Sequence, residues 1–172
     1  MKKVILLGMV SLMALSICAV VSCNGLGSGN GIETSGSYID LGLSSGTKWK
    51  DVNEKNAADA EYGFFTYNEA ISQFGNRIPT KDQWDELNAE CQWSWTGSGY
   101  NVTGPNGNSI TLPAEGFRHF DDGGVYSVGE AGGYWSSTSK REDAWAPSFG
   151  SDGMEVFLTE GGYGYSVRLV QD

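Results

Sequence analysis

The stretch "NRIPTKDQWDEL", residues 76–87, puts a proline, a helix start and a tryptophan inside a chain whose 25 glycines among 172 residues otherwise point to strands and loops. Thr80 and Gln83 have the spacing of a capping box, in which each side chain satisfies a backbone N–H that a helix start leaves unpaired. The spacing therefore predicts a helix beginning at Thr80. Pro79 before the cap and Trp84 past the first turn are spaced as a hydrophobic staple, and Trp84, Leu87 and Cys91 recur along one face. Asp82, Asp85, Glu86 and Glu90 mostly take the remaining positions. Carboxylates so placed read as a solvated face, favoured near the start by the helix dipole, and not as a catalytic acid–base pair.

The preceding segment, "TYNEAISQFG" (66–75), repeats the signal. Thr66 and Glu69 form the same box, Ile71 and Phe74 point inward, and Gly75 suits the C-terminal cap. Outside these two short helices the pattern is one of strands. "YIDLGL" (38–43) alternates Ile39, Leu41 and Leu43. "YNVTGPNGNSITL" (100–112) predicts a hairpin turning at Asn106-Gly107, a pair suited to the φ > 0 of two-residue connections. Further strands are expected over 133–137, 144–149, 154–158 and 165–170.

The chain opens with Met1-Lys2-Lys3 and an apolar run from Val4 to Val21, a secretory signal rather than part of the fold. The run is long enough for a membrane span, but it ends in "VVSC" and not in a basic flank. Val20-Val21-Ser22-Cys23 resembles the lipobox of bacterial lipoproteins. That resemblance implies cleavage before Cys23 and lipidation of its thiol; Cys18, preceded by bulky Ile17, fits less well. "NGLGSGNGIETSG" follows as a flexible tether. The expected organisation is a lipoprotein signal peptide over 1–22, a Gly/Ser-rich tether over 23–36 and a folded domain over 37–172.

Removing residues 1–22 takes away Lys2 and Lys3 of the 11 basic side chains and no acid, leaving 9 against 21 acids and a net charge of −12. Such a balance argues against nucleic acid as a partner. The domain is large enough for a real core. With Cys18 in the signal and Cys23 carrying the lipid, Cys91 has no partner for a disulfide.

Taken in order, "YIDLGLSSGTKW", "RIPTKDQWDEL", "VTGPNGNSITLPAEGFR", "GGYWSST" and "GYSVRLV" resemble the FISUMP-type domain of secreted bacterial proteins. The resemblance implies an α+β, C-type-lectin-like fold related to formylglycine-generating enzymes, with two short helices and antiparallel strands. It also implies that the first and last strands, near 38–43 and 165–170, pair and close the domain. The oxidation chemistry of those enzymes needs a pair of reactive cysteines in the C-terminal half, whereas the only cysteine of this domain, Cys91, sits on the helix that starts at Thr80. A hydrolase built from Cys91 and the single His119 is disfavoured, because Cys91 falls on the apolar helix face and reactive thiols sit in electropositive surroundings. Calcium-dependent sugar binding lacks its usual motifs. Asp121, Asp122, Asp143 and Asp152 offer oxygen ligands without a calcium-loop spacing. No catalytic residue, metal or cofactor is expected.

The segment from Tyr134 to Val170 also resembles the ligand-binding region of diversity-generating-retroelement targets, bounded there by "YWSS" and "SVR". In "AWAPSFGS" the alternation puts Trp145, Pro147 and Phe149 on one side, expected to face the core, and Ala146, Ser148 and Gly150 on the other. These small residues, with Lys140, Arg141, Glu142, Asp143 and Asp152, are the expected ligand-binding patch. The reading is a lipid-anchored, surface-exposed protein of the cell envelope, at the outer membrane, that binds an unknown protein or glycan and is not an enzyme. A structural or adhesive subunit of a surface assembly stays open. So does a glycan-binding module using aromatics among Trp93, Trp95, Tyr100 and Tyr163, although the alternation in "WSW" suits a core wall better.

Overall fold

The computed structural model describes residues 33–172. The signal peptide, Cys23 and residues 23–32 of the tether lie outside the described residues. Of the expected tether, Thr34 already lies against the domain, its N–H donating to the Glu54 carboxylate over 2.6 Å.

Both helices begin on the predicted threonines. At α1 (Tyr67–Phe74), Thr66 Oγ1 accepts from the Glu69 N–H while the Glu69 carboxylate accepts from the Thr66 N–H, and Gly75 ends the helix at φ +56°. At α2 (Lys81–Glu90), Thr80 and Gln83 make the same exchange. The start of α2 is then fixed from outside: the Pro79 carbonyl accepts from Ser137 N–H (2.8 Å), and Lys81 N–H donates to Thr138 Oγ1 (2.9 Å). Trp84 and Leu87 are fully buried. The stretch 76–87 therefore builds scaffold.

The domain is α+β, with two short helices and antiparallel strands in several sheets. One sheet orders β1 (Tyr38–Asp40), β2 (Lys48–Lys50) and β12 (Val170–Gln171), with β2 in the middle. The first and last strands thus flank a common partner, Trp49, which faces Ile39 on one side and Val170 on the other, instead of pairing with each other. A second sheet runs β3 (Gln92–Trp95), β4 (Gly99–Thr103), β5 (Ser109–Pro113). β6 (Phe117–Arg118) and β7 (Val125–Tyr126) form a two-stranded ribbon. The last sheet places β10 (Asp143–Gly150) between β11 (Gly153–Glu160) and β8 (Gly132–Gly133), with β9 (Ser139–Lys140) also on β10.

The β4–β5 connection differs from the predicted two-residue turn: residues 104–108 span it, and only Gly107, at φ +87°, is left-handed. Its docking on β1 explains the longer form. Asn106 and Asn108 side-chain amides both donate to the Asp40 carbonyl, and a Cβ on Gly104 would sit 2.1 Å from the Leu41 carbonyl oxygen.

Two apolar clusters make the core. One joins Leu41, Trp49, Trp84, Leu87, Tyr100, Tyr134 and Phe149; the other joins Phe65, Phe74, Ile78, Trp135, Ala144, Ala146 and Val167. Strand β10 contributes to both. Trp93 and Trp95 pack edge-on against buried Tyr100, so "WSW" and Tyr100 form core wall. The motifs "YWSS" and "SVR" are structural as well. Tyr134 hydroxyl donates to the Pro113 carbonyl and Trp135 Nε1 to the Phe65 carbonyl. Buried Arg168 donates to Asn53, to the Lys50 carbonyl and to the Thr111 carbonyl, tying β2 and β5 to the C-terminal segment.

Candidate functional site

The residues expected to form one patch are distributed along the β9–β10–β11 sheet and divide into three groups. Arg141 and Glu142 form the tight turn joining β9 to β10, and Asp143 is the first residue of β10. Arg141 holds φ +63°, a left-handed conformation that costs a non-glycine residue on the order of 1 kcal/mol. With Thr66, Tyr67 and Asn68 at the start of α1, and with Glu160, Gly161 and Gly162 after β11, they line an open cleft of about 750 Å³. Tyr67 is held there by its hydroxyl, which donates to the Ser137 carbonyl (3.1 Å), and its N–H donates to the Gly161 carbonyl (3.0 Å). Among the described residues, Arg141 has no carboxylate within salt-bridge distance, although Glu142, Asp143 and Glu160 line the same cleft. Lys140 is exposed beside this turn but does not line the cleft.

Ser148, Gly150 and Asp152 belong to a second cleft of about 380 Å³ at the other end of the β10–β11 hairpin, with Glu155 and Phe157. An eight-residue strand spans roughly 25 Å, so the two clefts are separate surfaces. Ala146 belongs to neither. It is 0 % exposed, packed in the cluster with Trp135, and its expected place in the patch is corrected. Trp145 is likewise not a core residue: it is half-buried, with Lys81 Nζ 5.5 Å from its ring centroid. Pro147 and Phe149 are buried as expected. The strict alternation fails because β10 is covered on one face near Ala144 and Ala146 and on the other near Phe149.

A feature without a periodic sequence signal lies beside the larger cleft. His119 and Phe120 stack with centroids 5.0 Å apart, and Tyr163 stands edge-on to both while its hydroxyl contacts His119 Nε2 at 3.2 Å. Phe120 is 44 % exposed, and a Cβ on Gly162, in the cleft wall, would lie 3.2 Å from its Cβ. Neither loop alone shows this shelf; two separate loops assemble it. Of the acids weighed as cation ligands, Asp122 is engaged by the Tyr126 hydroxyl and then by Gly124 N–H, which hold its carboxyl below the usual range despite some desolvation. Asp143 and Asp152 fall in different clefts, and among the described residues no group of three or more His, Cys, Asp or Glu is placed to hold a metal. Cys91 packs against the Trp84 cluster. Burial, reinforced by Glu90 and Glu86, pushes its thiol up to about 11.

A family described as a domain of unknown function (DUF8237) matches residues 101–170, from within β4 to the first residue of β12. That stretch carries Arg141, Glu160 and the aromatic shelf, but not α2, whose Trp84 and Leu87 complete the core beneath it. No curated protein and no solved structure matches the chain.

Proposed function

We propose that this chain is a lipid-anchored protein of the cell envelope, displayed from the outer membrane through Cys23, whose C-type-lectin-like domain binds a protein or other surface ligand through its C-terminal third. The observation that carries the binding assignment is the larger cleft. It presents Arg141, free of salt bridges among the described residues and held on a turn strained enough that glycine would fit it at lower cost, together with three carboxylates and Asn68. Charged groups left without protein partners in a concave site are available to a ligand's own charges. A binding role is favoured over catalysis because the single thiol of the domain is held protonated and lies in the other part of the core. The exposed ring of Phe120 supports a second reading, a glycan-binding module in which a sugar face stacks on the shelf.

The test uses the full chain in its envelope, with a photo-crosslinking residue in place of Glu142. Crosslinks should form in the wild-type background and fall several-fold with Arg141→Glu, with the melting transition unchanged. Equal crosslinking in both would refute the cleft. Cys23→Ala should move the protein out of the membrane fraction, and unchanged fractionation would refute the anchor. Binding to a glycan array that is abolished by Phe120→Ala and indifferent to Arg141→Glu would favour the second reading.

A further inference from the structure

Among the described residues, strand β11 is the open end of its sheet, hydrogen-bonded to β10 alone. The side of each β10 residue is fixed by its other neighbours. Trp145 N–H donates to the Thr138 carbonyl and its carbonyl accepts from Ser136 N–H, while the Pro147 carbonyl accepts from Tyr134 N–H. Trp145 and Pro147 therefore turn their backbone groups away from β11. In an antiparallel ladder these groups alternate in direction from residue to residue. Ala144, Ala146 and Ser148 consequently bond to Thr159, Phe157 and Glu155, and Met154, Val156 and Leu158 turn their N–H and C=O groups to the open edge. No described residue occupies them.

Long edges of this kind are usually blunted by a proline, a lysine, a bulge or a covering segment. β11 contains neither proline nor lysine, and its register with β10 runs unbroken from Gly153 to Glu160. Phe157 is 42 % exposed on one face of the edge, and Val156 and Leu158 are half-buried on the other, so an added strand meets apolar surface on both faces. The charges along it, Asp152, Glu155 and Glu160, are all acidic.

We propose that the β11 edge is a docking site for an extended, basic segment of a partner protein, which adds a strand beside Met154, Val156 and Leu158. Main-chain hydrogen bonds supply the attachment, alternate apolar side chains meet Phe157 or Val156 and Leu158, and basic residues meet Glu155 and Asp152. A second copy of this chain fits the edge less well, because it would set a second acidic strand on the first and bring together two strongly acidic domains. The proposal goes beyond the cleft assignment. The two surfaces share only Glu160, and Arg141→Glu leaves the edge intact.

The experiment titrates the detergent-solubilised full chain with an end-blocked ten-residue peptide of alternating lysine and valine, followed by binding and by amide hydrogen exchange. The controls are the same peptide with alternate amides N-methylated, and a version with glutamate for lysine. The lysine peptide should bind and slow exchange over residues 153–160, with the N-methylated control weaker by about tenfold or more, the equivalent of one or two lost hydrogen bonds, and the glutamate control weaker by about tenfold or more through repulsion from the acidic edge. Val156→Pro removes an outward N–H at a position where an edge strand tolerates proline, and should weaken binding to a similar degree with its melt recorded alongside. Glu155→Lys should narrow the preference for the lysine peptide over the glutamate peptide several-fold, and an unchanged preference would overturn the placing of basic residues against Glu155. Equal affinity for the N-methylated peptide would show attraction by charge alone and overturn the proposal. Protection confined to other segments would do the same. Concentration-dependent self-association that protects 153–160 without peptide would assign the edge to a second copy instead.

Discussion

Ala146→Gln is expected to be among the most damaging single substitutions in the C-terminal third, whereas Ser148→Gln, on the same face of the same strand, should be nearly silent. Ala146 is completely buried among Phe65, Ile78, Trp135 and Val167, and Ser148 is half-exposed at the rim of the smaller cleft. Glutamine at 146 forces extra volume into a closed cluster, typically about 1–3 kcal/mol, and leaves a buried amide without a partner, about 1–3 kcal/mol more. The combined loss of about 2–6 kcal/mol is a large share of the stability of an ordinary domain. At 148 the same side chain reaches solvent, and the change should stay within about 0.5 kcal/mol. Ala146→Val separates the two contributions, since it adds volume without a polar group and should fall near the overpacking figure alone. Denaturant melts of the three variants provide the comparison, with the slope checked so that a midpoint shift reports stability. If Ala146→Gln and Ser148→Gln melt together, Ala146 faces solvent and the assignment of β10 to the Trp135 cluster is wrong.

Trp84→Ala should cost about 3–5 kcal/mol and Thr80→Ala only about 1, since the first empties the contact with Trp49 (centroids 4.7 Å apart) and the second removes one cap. The Trp84 indole N–H makes no hydrogen bond among the described residues, so its loss is one of packing, and coincident melts for the two variants would contradict its core role. Cys91 should react with an alkylating reagent at pH 8 far more slowly in the folded chain than in denaturant, because burial raises its thiol from an ordinary 9.0 to about 11. With the folded value above the unfolded one, the contribution of Cys91 to stability is complete below about pH 9 and is lost as the pH climbs toward 11. A Cys91→Ala variant should show less of this alkaline loss, and an identical profile would refute the assignment.

The two helices were legible in the sequence because capping is local. Thr66 with Glu69 and Thr80 with Gln83 satisfy their partners three residues away whatever the rest of the chain does. The apolar face of Trp84 and Leu87 followed from periodicity for the same reason, and the strands expected over 144–149 and 154–158 lie within the observed β10 and β11. What the tertiary structure decided was every question of who covers whom. Period-two alternation states that Ala146 and Phe149 point to opposite sides, but not which side is wet, and β10 has packing partners on both sides at different points along its length. The turn at 104–108 took its form from β1, and the place of β2 between the first and last strands was set by contacts from Ile39 and Val170 to Trp49. The larger cleft has the same origin. Arg141 was legible as a charged turn residue, but Asn68 and Glu160 reach the same cavity from elements far apart in the chain, and such proximity is fixed by packing free energy summed over the whole core and not by any local preference.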